Sequence, residues 1–319
     1  MPAMSRILII HNPRSRRGGQ CYSNMKRWLE AGGHEDGVEF AEITELENIE
    51  PPEERLVVAG GDGTINSALE WLYSKEGTCP IGLIPAGTAN CLAASFGLNL
   101  KDSEACEIAF RGTNRRPLDI LTYRVPEEDR TRLILQSSSL GLPSNVGVSY
   151  ERLRQSWFWR LLFRLLGTAS YTLLALFEIR HQRRRERRDE PVLRMKIVFP
   201  PEENRPDFEG DVLAFFLHNE PTIGGNLVPC PKAKLDDGLM DVCIFRSSRS
   251  HSYLRMLRRL GKGNHLEDED VVVYHQTAGP LQVSLSLSHP FNSDGDIWLE
   301  SAEFEFALDP ARFEIVSAD

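Results

Sequence analysis

The spacing of hydrophobic residues changes near residue 117 of the chain. Before that point, short apolar runs typical of buried strands are followed by apolar residues at the i, i+3, i+4 spacing of an amphipathic helix. These runs are residues 7–10, 38–43, 56–59 and 80–84. Strands that alternate with helices pair in parallel, so this part predicts an α/β sheet whose loops bind a ligand at the carboxyl ends of the strands.

After residue 117, apolar and polar residues alternate in runs that are separated by loops rather than by helices. The predicted strands are residues 117–124, 131–138, 192–199, 211–218, 239–245, 271–274 and 281–287. Strands connected in this way predict an antiparallel β-sandwich. The sequence therefore divides into an α/β domain followed by a second, mostly β domain.

One stretch of the β-rich part, residues 157–177, is rich in leucine and aromatic residues. Arg160 and Arg164 interrupt it, so no apolar run is long enough to span a bilayer. The arginines that follow are Arg180, Arg183, Arg184, Arg185, Arg187 and Arg188. Two interpretations stay open: an amphipathic segment that lies on an anionic membrane surface, or two helices packed on the sandwich and followed by a solvated arginine run.

Composition and charge narrow the class of protein. The chain has 319 residues, of which 26% are charged and 41% hydrophobic, as is typical of a soluble globular protein. Its formal net charge of −9 argues against a nucleic-acid binder. Six cysteines without a C-x-x-C pair favour reduced thiols over a zinc site or disulfides. Since the first residues lead directly into a strand, we expect no signal peptide and a cytoplasmic protein.

A glycine-rich turn follows the strand predicted at residues 56–59. It reads Gly60-Gly61-Asp62-Gly63-Thr64 and opens into a predicted helix. Glycines let the backbone approach a ligand closely, and the free N–H groups at a helix start favour an anion. The turn therefore predicts a phosphate site, and Asp62 beside it predicts a cation or a mobile proton in between. An ordinary turn with Asp62 as a turn former is the alternative.

Two other polar turns carry candidate chemistry. In residues 85–90, the hydroxyl of Thr88 can donate to a phosphate or ribose, and Asn90 can cap the next helix or bind a base. In Asp236-Asp237-Gly238, two adjacent carboxylates suit a hard cation such as Mg²⁺. A metal-free turn is the alternative for the second motif.

These motifs occur in an order that resembles a known family. Residues 60–64, 85–90, 235–242 and 294–296 together resemble the diacylglycerol kinase catalytic superfamily, in particular its soluble bacterial lipid kinases, with sphingosine and ceramide kinases as relatives. The resemblance implies a three-layer α/β nucleotide-binding domain, similar to 6-phosphofructokinases and NAD kinases, at residues 1–116. It also implies a β-sandwich domain at residues 117–307 that binds the substrate, with the tail 308–319 returning to the first domain.

The resemblance also implies which residues bind the nucleotide. Asn12 belongs to a segment similar to the family's N-P-x-S-G loop, although Arg16 stands where the family usually has glycine. Thr44 is the best match to a hydroxyl residue that contacts the nucleotide. The remaining nucleotide-binding residues are Gly60, Gly61, Asp62, Gly63, Thr64, Ile65, Asn66 and Thr88.

The metal and the catalytic base are likewise implied by the resemblance. Carried over from the bacterial lipid kinases, an ordering Mg²⁺ is bound by Asp237 and by the main-chain carbonyls of Lys234 and Leu239. Asp296 stands where the family's D-G-E motif has its glutamate base, and it is shorter by about 1.5 Å. Asp296 and Asp62 are thus the predicted catalytic residues, and a β-turn without chemistry is the alternative for Asp296.

The predicted function is an ATP- and Mg²⁺-dependent lipid kinase. Its acceptor is diacylglycerol or a related membrane lipid, so we expect a cytoplasmic enzyme that contacts the inner face of the membrane. Two other interpretations stay open. NAD kinases share the glycine-rich turn, and the changes at Arg16 and Asp296 are also compatible with a weakened kinase that binds lipid or nucleotide without turnover.

Overall fold

The protein is described from a computed structural model that covers residues 6–13, 18–32, 37–98, 102–167, 169–188, 192–224, 227–247 and 253–318. The chain divides into two compact units. The first contains Met1–Ile120 and Pro310–Asp319, and the second contains Leu121–Asp309. The predicted domains had their boundaries at residues 116/117 and 307/308.

The first unit alternates strands and helices. Its elements are β1 Ile7–His11, α1 Gly18–Gly32, β2 Val38–Glu42, β3 Arg55–Gly60, α2 Asp62–Ser74, β4 Ile81–Pro85, α3 Cys91–Ser95 and α4 Asp102–Arg111. Strands β1 to β4 pair in parallel in the order β4-β3-β1-β2. All six residues of β3 are buried, because a central parallel strand is covered on both faces.

The core of this unit forms where helices cover the parallel sheet. Met25 and Leu29 of α1 and Cys106 of α4 pack with Ile9 and Val57 from the sheet. The last residues of the chain also belong to this unit, since Ile315 pairs in parallel with Ile81 of β4. The predicted parallel α/β architecture is therefore present in the first unit.

The second unit is built on antiparallel strands. Its elements include β6 Arg132–Ile134, β7 Ser137–Gly141, β8 Arg194–Val198, β9 Phe208–His218, β10 Met240–Arg246, β11 Val272–Thr277 and β12 Leu281–Ser293. Two further strands, β5 Arg115–Arg124 and β13 Asp296–Val316, belong in part to each unit. The strands β11-β10-β9-β7-β12-β13 are neighbours in that order, and β8 pairs with β9 and β12. Their inward side chains, such as Phe215, Phe291 and Phe306, form one large hydrophobic core.

Four helices accompany this sheet. They are α5 Leu142–Arg154, α6 Trp157–Leu166, α7 Ala169–Arg187 and α8 Tyr253–Leu260. Helix α6 ends at Gly167, whose positive φ of 55° suits glycine at a helix end. Within the ranges that the structure covers, no single helix is long and apolar enough to cross a membrane. Residues Trp157–Leu166 and Ser170–Arg185 satisfy that test only as a pair, and they are bent by 112°.

The second unit differs from the sequence prediction in three places. Strand β13, Asp296–Val316, was not among the predicted strands. The strand predicted at residues 131–138 is interrupted at residues 135–136 and forms the separate strands β6 and β7. Helices α5 and α8 were not predicted. Helix α5 mixes Gly147 with serine and asparagine and buries Ser144 beside Val146, so its sequence lacks a clear apolar stripe.

Candidate functional site

The predicted nucleotide-binding residues lie along one edge of the parallel sheet. Parallel strands end at the same edge, and Asn12 follows β1, the glycine-rich turn follows β3, and Thr88 follows β4. Thr44 follows β2, where the N–H of Ile43 donates to the His11 carbonyl of β1 at 3.0 Å. Four segments that are far apart in sequence are thereby brought together.

The glycine-rich turn leads directly into helix α2. Gly61 is the residue before the helix, and its carbonyl accepts the N–H groups of Thr64 at 2.9 Å and Ile65 at 3.0 Å. Gly63 is exposed, and a Cβ atom added to it would meet no atom within 4 Å. The space in front of the first turn is therefore open, as a helix start that receives an anion requires.

Close contact between two loops requires glycine at Gly61 and Gly87. A Cβ atom on Gly61 would lie 2.8 Å from the Cα of Gly87, and one on Gly87 would lie 2.5 Å from the Cα of Gly61. Neither position has room for a side chain. Gly60 is restricted in the same way, since its Cβ would lie 2.4 Å from the Cβ of Thr64.

Polar side chains connect these loops. The Asn12 side-chain amide donates to the Thr64 hydroxyl at 3.3 Å, and the Leu92 N–H at the second residue of α3 donates to Asp62 Oδ1 at 3.3 Å. The structure thus brings Asn12 to Thr64 and joins Asp62 to α3, the helix that follows the loop containing Thr88. Thr88 and Thr44 are exposed at the same edge.

Other residues have roles that the sequence did not specify. Ile65 is buried and its N–H donates to the Gly61 carbonyl at 3.0 Å, and its nucleotide-binding role stays a prediction. Asn90 adopts a φ of 52° and forms hydrogen bonds with both the N–H and the carbonyl of Gly87, without capping α3. Asn66 is half-buried on α2. Arg16 lies outside the described residues.

His11 is a residue of this edge that the sequence reading missed. It directly precedes Asn12 and stacks on Tyr22 with ring centroids 4.3 Å apart. Burial lowers its pKa, an effect that Glu42 and Glu45 partly oppose. Its Nδ1 is buried without a hydrogen-bond partner among the described residues. The only signal in the sequence is a histidine at the end of the first apolar run.

In the second unit, Asp294 and Gly295 form the two-residue turn between β12 and β13. Both have positive φ, 49° and 92°, as a tight hairpin requires. The Asp294 carboxylate accepts the N–H groups of Leu135 at 2.8 Å, Gln136 at 2.9 Å and Ser137 at 3.0 Å. Asp294 therefore holds the interruption between β6 and β7 against the hairpin, a role that was not predicted.

Asp296, the predicted base, is the first residue of β13 and pairs with Ser293 across the turn. It reaches solvent, but the surrounding protein removes part of the hydration of its carboxylate and raises its pKa, which Arg154 of α5 partly opposes. A carboxylate with a raised pKa accepts a proton more readily.

The predicted metal loop precedes β10. Asp237 is half-buried, its Oδ1 accepts the Leu239 N–H at 3.2 Å, and Gly238 has a φ of 70°. Burial raises the pKa of the Asp241 carboxylate to about 6. The hydrogen bond from the Tyr274 hydroxyl lowers this pKa, and repulsion by Asp237 raises it further.

A cation would fit this loop. Asp241 Oδ2 is buried without a hydrogen-bond partner in the described part of the chain, and Asp237 and Asp241 repel one another. Carboxylate and carbonyl oxygens are the ligands that Mg²⁺ prefers, so the predicted set of Asp237 with the carbonyls of Lys234 and Leu239 has suitable chemistry. No cluster of three or more His, Cys, Asp or Glu side chains suited to a metal occurs among the residues covered.

Comparisons with known proteins identify the family of the chain. Residues 6–123 match the model of the diacylglycerol kinase catalytic domain, and residues 163–316 match the YegS C-terminal NAD kinase beta sandwich-like domain. A "Probable lipid kinase YegS-like" protein of Pseudomonas aeruginosa is 28% identical over 264 residues, which cover 82% of this chain and 75% of the relative.

Two further relatives extend the comparison. A "Diacylglycerol kinase" of Bacillus subtilis is 23% identical over 261 residues, covering 76% of this chain and 70% of the relative. A crystal structure of a diacylglycerol kinase from Bacillus anthracis superposes with a TM-score of 0.63 at 13% identity, covering 98% of this chain and 97% of that one. The last match shows a shared fold.

Proposed function

Because the chain belongs to the diacylglycerol kinase catalytic superfamily, we propose that it is a lipid kinase that transfers the γ-phosphoryl group of ATP to a hydroxyl of diacylglycerol or a related membrane lipid. The observation that carries this proposal is the edge of the parallel sheet where Asn12 donates to Thr64 and Asp62 accepts the Leu92 N–H, with Thr88 exposed at the same edge and open space beside Gly63 in the first turn of α2. Such an edge has the form of a phosphate-binding site.

The first unit supplies the phosphate-binding half of the chemistry. The N–H groups at the start of α2 and the hydroxyls of Thr64 and Thr88 orient the phosphates of ATP. Bound with ATP, a magnesium ion would supply neutralisation of the charge on the transferred group. Asp62, whose Oδ1 accepts the Leu92 N–H, would be among the residues that hold it.

The second unit supplies the base. Asp296 accepts the proton of the lipid hydroxyl as the oxygen attacks the γ-phosphorus, and the bond from the γ-phosphorus to the β–γ bridging oxygen breaks to release ADP. Its raised pKa supports this role. Asp294 keeps the turn before Asp296 in place through its three backbone hydrogen bonds. Since aspartate is shorter than the family's glutamate, the Asp296→Glu variant should keep activity.

A transfer assay tests this proposal. Purified protein is incubated with radiolabelled ATP, Mg²⁺ and a panel of lipids in detergent micelles. We expect label on a glycerolipid, and we expect Asp296→Asn to lower kcat by about 10²–10⁴-fold, the usual contribution of a general base. Glu300→Gln is the matched control, because it neutralises an exposed acid on the same strand.

Two results would overturn the proposal. Wild-type protein that labels no lipid hydroxyl would remove the kinase function, and ATP binding without transfer would then favour the weakened kinase. If Asp296→Asn were as active as Glu300→Gln, a base other than Asp296 would be required.

A further inference from the structure

Exposed hydrophobic side chains are concentrated in one part of the molecule. Of ten large hydrophobic residues that are exposed within the described chain, eight lie on α6 and α7: Trp157, Phe158, Leu161, Leu165, Leu166, Tyr171, Leu173 and Phe177. Trp157 is 75% exposed and Leu165 is 76% exposed. Contiguous apolar surface of this kind marks a site of interaction with a protein or a membrane.

Helix α6 has two apolar faces with different surroundings. Phe163 and Trp159 pack inward with Leu174, and the Phe163 ring stacks on Tyr150 with centroids 4.7 Å apart. Trp157, Leu161 and Leu165 are spaced four residues apart and therefore lie in one line, which faces solvent. Since one face already anchors the helix, the outer face is not needed for folding.

Arginines border the outer face. Arg160 and Arg164 are exposed on α6, and together with Arg154 they line a groove of about 460 Å³. Tyr150 and Phe163 also line this groove. Glu151 forms an ion pair with Arg154 at 2.6 Å. Three guanidinium groups against two nearby carboxylates, Glu151 and Asp296, leave the groove cationic, so it is suited to phosphate groups.

Helix α7 repeats this arrangement along its length. Leu173 and Phe177 are exposed near its start, and Arg180 and Arg184 continue the same line of the helix. The apolar residues are therefore near the bend between α6 and α7, and the arginines are further along. An interfacial helix needs apolar residues that enter the acyl region and cations that meet the headgroups.

The groove is close to the predicted base. Arg154 is near enough to Asp296 to lower the pKa of its carboxylate, and a Cβ atom on Gly147 of α5 would lie 2.9 Å from Ile297 Cδ1. A membrane surface that occupies the groove would thus bring lipid headgroups to the residue that activates the lipid hydroxyl.

We propose that the outer face of α6 and the first half of α7 dock onto an anionic lipid bilayer, with Trp157, Leu161 and Leu165 in the acyl region and Arg154, Arg160 and Arg164 on lipid phosphates. This proposal adds a membrane-binding surface to the proposed lipid kinase and rests on that function. Its test does not require turnover. Charge complementarity favours an anionic membrane over a second copy of a chain whose net charge is −9.

Vesicle binding without nucleotide tests the proposal. The full chain is sedimented with vesicles of phosphatidylcholine alone or with about 30 mol % phosphatidylglycerol, a content that gives a negative surface. We expect binding to the anionic vesicles only. Replacing Arg160 and Arg164 together by glutamine should weaken it by roughly thirtyfold, since each arginine near such a surface contributes about fivefold.

Two further variants isolate the apolar contribution. Leu161→Glu with Leu165→Glu should weaken binding by more than about tenfold, because two apolar side chains no longer enter the bilayer. Arg130→Glu, an exposed arginine in the turn between β5 and β6, is the control and should bind as wild type does. Circular dichroism of each variant checks that it is folded.

Tryptophan fluorescence gives a second readout on the wild-type chain. Brominated acyl chains should quench Trp157, and the quenching should be lost in Trp157→Phe. Absence of vesicle binding, or apolar variants that bind as Arg130→Glu does, would overturn the proposal. A concentration-dependent dimer that the apolar variants abolish would assign the face to a second copy.

The two proposals fail separately. Protein that labels lipid in micelles without binding vesicles would retain the kinase and refute the docking surface. Protein that binds anionic vesicles without labelling any lipid would do the reverse.

Discussion

The Asp294 carboxylate offers a sharp test of the geometry in the second unit. It accepts three consecutive backbone N–H groups, from Leu135, Gln136 and Ser137, at 2.8, 2.9 and 3.0 Å. These three residues are buried. Replacing Asp294 with alanine therefore leaves three donors without their acceptor at the point where β6 ends and β7 begins.

The expected cost follows from these contacts. At about 1 kcal/mol for each hydrogen bond, the three bonds contribute about 3 kcal/mol, and the charge of the acceptor increases this figure. Alanine at a φ of 49° adds about 1 kcal/mol of backbone strain. We expect Asp294→Ala to lower the free energy of unfolding by about 4 kcal/mol, a large part of the usual stability of a domain.

Two companion variants separate the contributions. Asp294→Gly removes the acceptor but adopts positive φ freely, so it should be less destabilised than Asp294→Ala by about 1 kcal/mol. Asp294→Asn keeps one acceptor oxygen and tolerates the same backbone conformation, so it should lose about 1–2 kcal/mol.

Urea denaturation measures the stability, and hydrogen exchange of residues 135–137 reports the three bonds directly. In Asp294→Ala these amides should exchange much faster than in the wild-type protein, and Asp294→Asn should be intermediate. A midpoint for Asp294→Ala that matches wild type, with unchanged protection of these amides, would refute the assignment of Asp294 as their acceptor.

Two other predictions concern a glycine pair and a buried histidine. Gly63→Ala should leave stability unchanged but raise the KM for ATP, because its Cβ enters the open space beside the first turn of α2. Gly61→Ala should lower the free energy of unfolding, measured in urea, by about 1–3 kcal/mol, since its Cβ would lie 2.8 Å from the Cα of Gly87. Burial lowers the pKa of His218 from 6.5 to about 4, which its hydrogen bond to the Glu220 carbonyl partly opposes. As the pH falls from 6.5 to about 4, the His218 side chain is protonated in the unfolded state but not in the folded state. The free energy of unfolding of the wild-type protein should therefore fall by about 3 kcal/mol over this range relative to that of His218→Gln. The raised pKa of Asp241 has the opposite effect on stability, but Asp241 is present in both the wild-type and the His218→Gln protein.

Local sequence patterns predicted the parts of the fold that depend on neighbouring residues. Apolar runs followed by glycine-containing turns marked β3 and β4, and the turn at residues 60–64 leads into a helix that begins at Asp62, as expected. The same motifs identified the family, which the comparisons confirm. The nucleotide, metal and catalytic assignments stay predictions.

Long-range pairing accounts for what the sequence did not reveal. The three amides bound by Asp294 lie 157 to 159 residues away from it, so no local pattern could distinguish this carboxylate from an ordinary turn residue. Asn90 shows the same limit at short range. Its two bonds to Gly87 depend on a φ of 52°, which the residue type permits but does not impose.

The path of β13 has a consequence for synthesis of the protein. Phe313, Ile315 and Val316 are buried, and Ile315 pairs with Ile81 of the first unit. The amino-terminal unit therefore stays without one of its strands until residues 313–316 have been synthesised. Until then its nascent form exposes the side of β4, so chaperone binding should persist until these residues emerge.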